Sequence, residues 1–234
     1  MFCPHCGATN ADNATFCGSC GRPTSTPGGL GASMGPAAPF VPPASVDVRI
    51  GDWIGKAWNL VTSDLMLFVG ATVVFLVLAS VVPVLLNGAL AAGIHIICIN
   101  KIRRGKSELG DLFKGFNYFV PTLVANLLIS VFIFLGMIAC LIPALVVAAI
   151  YVFPYLFIVD RKMEFWPAME ASHAIVKKNY VGFVLLVLSF AGLHIVGALA
   201  CLVGLLVTIP MQYAAITIAY QELVGFATPE DTPL

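Results

Sequence analysis

The chain has 234 residues, of which 59% are hydrophobic and 10% charged. A soluble domain carries about 25% charged residues, so this chain lacks the polar surface that a soluble globule of its size needs. Its 12 basic and 12 acidic side chains cancel, which removes the basic footprint of a nucleic-acid-binding protein; no nucleic-acid partner is expected.

Residues 1–22 form the first module. The run FCPHCGATNADNATFCGSCG places Cys3 and Cys6 in one CxxC knuckle and Cys17 and Cys20 in a second, each followed by glycine, Gly7 and Gly21. A glycine there lets the backbone close under a metal while its N–H groups point at thiolate sulfur. Four thiolates at this spacing suit a closed, tetrahedral structural Zn2+ site, which leaves no open position for catalysis. His5 lies inside the first knuckle, where four cysteines already saturate the ion. An iron centre or a redox dithiol is the rival reading of CxxC, and the pairing of two knuckles favours zinc. Thiolate ligation places the module in a reducing, cytoplasmic setting, and metal binding supplies folding energy that so short a segment cannot draw from a core. The opening MFCPHCGATN has neither a basic n-region nor an apolar h-region, so the first hydrophobic hairpin is expected to act as its own insertion signal.

Residues 23–46 are uncharged and rich in proline and glycine, which predicts a flexible linker. The helical domain is expected at 47–226, with a short C-terminal tail at 227–234. Over 47–62 the residues Ile50, Ile54, Ala57, Trp58 and Val61 recur at helical spacing, with Asp52, Lys56 and Asn59 between them. This predicts an amphipathic helix in the membrane interface, with Trp53 and Trp58 at headgroup level.

Three stretches then carry no Asp, Glu, Lys or Arg: 65–100, 115–159 and 179–221, which are 36, 45 and 43 residues long. A spanning helix takes about 20 apolar residues, so each stretch has room for two crossings. The expected crossings are 65–81, 83–100, 118–140, 141–159, 181–198 and 200–221. Pro83 separates the first two, Pro143 stands near the first turn of the fourth, and Pro210 predicts a kink in the sixth. The connecting segments 101–114 and 160–178 are rich in Lys and Arg, whereas the turns near 82, 140 and 199 are uncharged. The positive-inside rule therefore puts both basic loops and both termini in the cytoplasm. The fold class is an all-α integral membrane bundle of about six transmembrane helices in three hairpins, with a small four-cysteine zinc ribbon at the N-terminus. Five crossings are the rival count, because 65–100 is short for two.

Within the basic loops, Leu109, Leu112, Phe113 and Phe116 fit an amphipathic turn, and Phe165, Met169, His173 and Val176 share a second apolar-leaning face. Among uncharged polar residues in the apolar stretches, His95, Asn126, His194 and Gln212 are candidates for a polar site; the plainer reading is hydrogen-bonding between helices. Asp160 reads as a helix-end charge paired with the basic residues beside it. Gly88, Ala92, Gly93, Gly192, Gly197 and Gly204 would allow close helix contact. There is no HExxH, no GxSxG and no buried charge in the apolar stretches, so catalytic residues are not assigned and enzymatic activity is not expected.

Residues 1–23, through Cys3, Cys6, Gly7, Phe16, Cys17, Cys20 and Gly21, resemble the short zinc ribbon at the N-terminus of many bacterial and archaeal membrane proteins. That resemblance implies a structural or interaction module. RRGKSELGDLFKGF at 103–116, VDRKMEFWPAMEAS at 159–172 and GLLVTIPMQYAAITIAYQELVG at 204–225 resemble a family of largely uncharacterised bacterial polytopic membrane domains. That family is similar in layout to the membrane domain of some glycerophosphodiester phosphodiesterases. The resemblance implies a multi-pass protein of a prokaryotic cytoplasmic membrane and no activity by itself. The expected partners are the lipid bilayer and, through the ribbon, a cytoplasmic protein; oligomeric state is left open. A transporter or lipid-handling bundle for an apolar or lipid substrate is the alternative function, and a cavity lined by His95, Asn126, His194 and Gln212 would favour it.

Overall fold

The computed structural model describes residue 9 and residues 40–139, 141–200 and 204–227. The chain divides into two units, Met1–Val41 and Pro42–Leu234, and the architecture below belongs to the second. Its elements are α1 (Ile50–Thr62), α2 (Leu65–Val81), α3 (Pro83–Arg104), a 3₁₀ segment (Leu109–Tyr118), α4 (Phe119–Ala139), α5 (Leu141–Ile150), α6 (Pro154–Arg161), α7 (Phe165–Val176), α8 (Tyr180–Leu199) and α9 (Leu205–Leu223).

The amphipathic segment forms α1, which meets α2 at 96° across Ser63 and Asp64. Trp53, Ala57 and Val61, at i, i+4 and i+8, are its buried face and pack on α9. Trp53 therefore departs from the headgroup position expected of it. Its ring is fully enclosed, and its Nε1 donates to Glu222 Oε2 at 2.9 Å. Trp58 on the other side is exposed.

Helix α3 is the pillar of the bundle. It starts with Pro83 at a position where no N–H is needed and ends at Gly105, whose φ of +68° closes the helix in the left-handed region. Lys101, Arg103 and Arg104 occupy its last turn, where cations complement the helix dipole. Every residue from 88 to 100 is buried. The chain then reverses into the 3₁₀ segment, opened by a capping box between Glu108 and Asp111. This segment is not a surface turn. A Cβ at Gly93 would strike the Leu112 carbonyl, and one at Gly115 would strike the Ala89 carbonyl, so the two glycines let the segment lie directly on α3. Leu112 is buried, while Leu109 and Phe113 are exposed.

Lipid does not drive apolar helices together as water does, so contact rests on small residues and shared hydrogen bonds. Gly88 meets the Thr122 carbonyl of α4, Gly136 of α4 meets the Ala144 backbone of α5, and Gly197 of α8 meets Gly204. Gly192 has open space around it and is no contact point. Helices α2, α4 and α8 expose large apolar side chains, among them Val77, Leu127, Phe134, Leu188 and Ile195.

The expected fourth crossing is interrupted. Helix α5 stops at Ile150, and α6 restarts at Pro154. Proline has no N–H to give the Ile150 carbonyl. Ser172 of α7 replaces it: its Oγ donates to Ile150 O at 2.6 Å and accepts from Phe153 N at 3.2 Å. Backbone broken inside a membrane protein persists where such groups are satisfied by protein or line a cavity. Ser172 belongs to the buried face of α7, which comprises Ala168, Met169, Ala171, Ser172, Ile175 and Val176. His173, expected on that face, is exposed and bonds Tyr180 Oη at 2.8 Å.

Among the described residues, four helical segments are long and apolar enough to cross a membrane: Leu85–Arg104, Leu109–Ala139, Ile142–Arg161 and Tyr180–Leu199. The bent pair α1–α2 makes a fifth if taken as one span. Helix α2 alone has 17 residues, short of the usual length, and α9 carries Gln212, Tyr213, Gln221 and Glu222 along its 19. The described residues thus form an all-α bundle with four to five such segments; six crossings were expected, and residues 201–203 of the last of them lie outside the described residues.

Candidate intramembrane binding cavity

The described part of the bundle forms a partly open cavity of about 320 Å³ between α3, the α5–α6 break, α8 and α9. His95 enters from α3, Tyr151 and Tyr155 flank the break, His194 comes from α8, and Gln212 and Tyr213 come from α9. Ala148, Val152, Val187, Phe190, Ala191 and Ile216 make the apolar walls. None of these lining residues is charged. His95 lies six residues before Lys101 and Gln212 ten before Glu222, so they sit about 9 Å and about 15 Å from the first charged side chain toward the charged end of their helices. Both depths fall inside a hydrocarbon core of about 30 Å.

Three of the four polar residues singled out in the sequence, His95, His194 and Gln212, therefore meet at one cavity. The fourth, Asn126, stands behind it: Tyr155 Oη donates to Asn126 Oδ1 at 3.0 Å. The tyrosines were not legible as site residues because Tyr in an apolar run reads as packing. The usable signal was spacing, since Tyr151 and Tyr155 share a face at i, i+4 and Tyr213 neighbours Gln212.

The bond from Thr217 to the Tyr213 carbonyl favours one tautomer of His95. Thr217 Oγ1 donates to the Tyr213 carbonyl at 2.8 Å, and it lies 2.9 Å from His95 Nδ1. With its proton spent, the hydroxyl oxygen accepts from Nδ1–H, which leaves Nε2 of the neutral ring with a free lone pair. Tyr213 stacks edge-on against the ring, with centroids 5.2 Å apart. Around this ordered group, the Tyr151 and Tyr213 hydroxyls, the Gln212 amide and the His194 ring have no hydrogen-bond partner in the described residues; His194 Nε2 is itself buried. An unmade hydrogen bond is costly in an apolar medium at His194 Nε2, and the other three groups open onto the same space, where a ligand can reach them.

The charged end of the bundle is arranged differently. Glu222 accepts from Arg49 Nη2 at 2.6 Å, Trp53 Nε1 at 2.9 Å and Lys56 Nζ at 2.5 Å. Burial alone would raise its carboxyl pKa, but the bonds from Lys56 and Trp53 and the charges of Lys56 and Arg49 outweigh this and hold it below the usual value. Asp160 is buried and accepts from Tyr220 Oη at 3.1 Å and from the Ala227 N–H at 2.9 Å. Arg161 Nε in turn donates to Tyr220 Oη at 3.2 Å. Asp160 thus clamps the chain after α9 rather than merely offsetting its basic neighbours. Asp111 pairs with Lys114 at 2.8 Å and accepts from Asn100, and Lys101 pairs with Asp64 at 2.9 Å. Asp111 and Asp160 thus engage separate partners.

The expected zinc ligands Cys3, Cys6, Cys17 and Cys20 lie outside the described residues, as do Cys140 and Cys201. Among the described residues no group of three or more His, Cys, Asp or Glu side chains is placed to hold a metal. Cys98 is a buried free thiol.

A multi-span apolar helical bundle with an N-terminal small domain defines a membrane-embedded α-helical protein, and the family comparison supplies the class of that domain. Residues 2–24 match the zinc-ribbon domain family. The chain is also similar to uncharacterized protein Mb2590 of Mycobacterium bovis and uncharacterized protein Rv2560 of Mycobacterium tuberculosis, at 35% identity over 103 residues in each case. That match covers 44% of this chain and 32% of each relative, so the chain spans about a third of the length of the curated relatives it matches. No solved structure matches the chain. The expected likeness to the membrane domain of glycerophosphodiester phosphodiesterases is not among what these matches support.

Proposed function

We propose that this is a non-enzymatic protein of a prokaryotic cytoplasmic membrane that presents a zinc ribbon to a cytoplasmic protein partner. The observation that carries the reading is the pair of CxxC knuckles inside the segment that matches the zinc-ribbon family. Cys3, Cys6, Cys17 and Cys20 would hold the structural Zn2+, whose role is to fold the module. Linker residues 23–46 then let the ribbon search the space beside the membrane. The proposed topology has six crossings in three hairpins with both termini inside. The basic segments 101–114 and 160–178 support it, as does the close agreement of α2, α3, α4 and α8 with four of the expected crossings. Affinity capture from intact membranes tests the reading: Cys17→Ser should lose a specific cytoplasmic partner while inserting normally. Retention of every cross-linked partner after removal of residues 1–22 would overturn it.

The cavity favours a second role for the bundle itself, namely binding or moving an apolar or lipid ligand. The convergence of His95, His194 and Gln212 within the apolar part of the bundle supports that role, and the absence of charge from the lining argues against an ion as cargo.

A further inference from the structure

The polar groups of the cavity constrain what it accepts. We propose that it binds the headgroup of an uncharged lipid bearing a free hydroxyl, of the diacylglycerol kind. This inference rests on the ligand-binding role of the bundle and adds the ligand class to it.

Three observations lead there. First, the lining has no Asp, Glu, Lys or Arg, so a phosphate, carboxylate or ammonium would enter without a counter-charge among apolar walls, where unpaired charge is expensive. The headgroup is therefore neutral. Second, the site needs both senses of hydrogen bond. His95 Nε2 offers a lone pair because Nδ1–H is spent on Thr217, and Tyr155 Oη offers its oxygen because its proton is spent on Asn126. These two atoms require a donor from the ligand. Tyr151, Tyr213 and the Gln212 amide offer protons to an acceptor. A hydroxyl is donor and acceptor at once; a quinone or a simple ester carbonyl only accepts. Third, the exposed Ala191 of α8 marks an opening in the wall, beside Gly192, which has open space around it. Flanking residues of α8 are large, apolar and exposed, as a surface facing acyl chains requires. A volume of about 320 Å³ holds a glycerol headgroup with its ester groups and leaves the chains outside.

The test uses the full chain in phosphatidylcholine nanodiscs and a photoreactive dioctanoylglycerol, with adducts mapped by peptide mass spectrometry. Saturable labelling is expected near Tyr151–Tyr155 or Gln212–Ile216. Unlabelled dioctanoylglycerol should compete about tenfold better than its methyl ether, which lacks the donor, because a site built to bond a hydroxyl discriminates against its loss. Dioctanoyl phosphatidic acid should compete no better than the ether. Gln212→Leu should weaken labelling about tenfold and Tyr213→Phe about threefold, both with unchanged thermal unfolding, which separates lost binding from lost folding. Equal competition by the methyl ether, or by decylubiquinone, would overturn the hydroxyl assignment while leaving a neutral-ligand cavity in place. Strong competition by phosphatidic acid would overturn its neutrality. If neither dioctanoylglycerol nor decylubiquinone labels or competes saturably, the cavity holds only water, and the ligand-binding role of the bundle falls with the ligand class.

Discussion

The charged end of the bundle and its interior cavity use similar hydrogen-bonding groups in opposite ways. At the charged end the carboxylates Asp64, Asp111, Asp160 and Glu222 each have a partner, and Glu222 has three. Those bonds tie together elements far apart in sequence: α1 to α9, α3 to the α1–α2 corner, and α6 to the chain after α9. Buried atoms without a partner among the described residues occur there too, on Asn100 Oδ1, Ser107 Oγ and the Arg103 Nε and Nη2, and Arg103 lies in the last turn of α3, where the helix dipole favours a cation. In the cavity the unpaired groups outnumber the paired, and no dipole accounts for them. The difference separates polar groups that hold the fold from polar groups kept open by it.

The sharpest way to break this distinction is at Asp160. Asp160→Ala would strand the Tyr220 hydroxyl and the Ala227 N–H and remove a buried charge that both stabilise. The expected loss is about 3 kcal/mol, read as a lowered unfolding midpoint in mild detergent. Glu222→Gln should cost less, about 1–2 kcal/mol, because Arg49 and Lys56 are half exposed and water screens their pairing. It has a pH signature. The folded pKa of Glu222 lies below the ordinary 4.5, so its stabilisation is present above that value and fades as pH falls through the lower folded value. Thermal unfolding of the parent protein should therefore show an acid-side loss below about pH 4.5 that Glu222→Gln lacks. Ser172→Ala should cost about 1 kcal/mol, since it leaves the Ile150 carbonyl and the Phe153 N–H without partners at the α5–α6 break.

Local chemistry was readable where it depends on neighbours in sequence. The apolar stretches, Pro83 and the basic loop after α3 place α2 and α3 within a few residues, and the amphipathic spacing of 50–61 places α1. What depends on tertiary partners was not readable. Nothing near Pro154 says that the helix will break there, because the rescuing hydroxyl is on Ser172 of a separate helix. Trp53 next to Trp58 suggests an interfacial pair, yet the carboxylate that draws one of them inside lies at position 222. His95, His194 and Gln212 stood out as polar residues in apolar runs, but Tyr151, Tyr155 and Tyr213 did not, because a tyrosine's hydroxyl matters only once its surroundings are known. The zinc-ribbon class of residues 2–24 was legible from the spacing of the CxxC pairs, and the ligand role expected of Cys3, Cys6, Cys17 and Cys20 lies outside the described residues.

The smallest predicted effect is the most discriminating. Tyr213→Phe removes a hydroxyl that bonds no group among the described residues, so unfolding stability should stay within about 0.5 kcal/mol of the parent. Tyr155→Phe removes a hydroxyl that bonds Asn126, and should cost about 1 kcal/mol in the same assay. The two substitutions delete the same atom from neighbouring walls of one cavity, which cancels most differences in volume and hydrophobicity. If the tyrosines are equally costly, Tyr213 has a structural bond and the cavity is packing like any other part of the bundle. If only Tyr155 is costly, the open hydroxyl contributes nothing to the empty fold. Its effect should then surface when a hydroxyl-bearing lipid is added: the parent protein gains melting temperature with lipid concentration, and the Tyr213→Phe protein gains less.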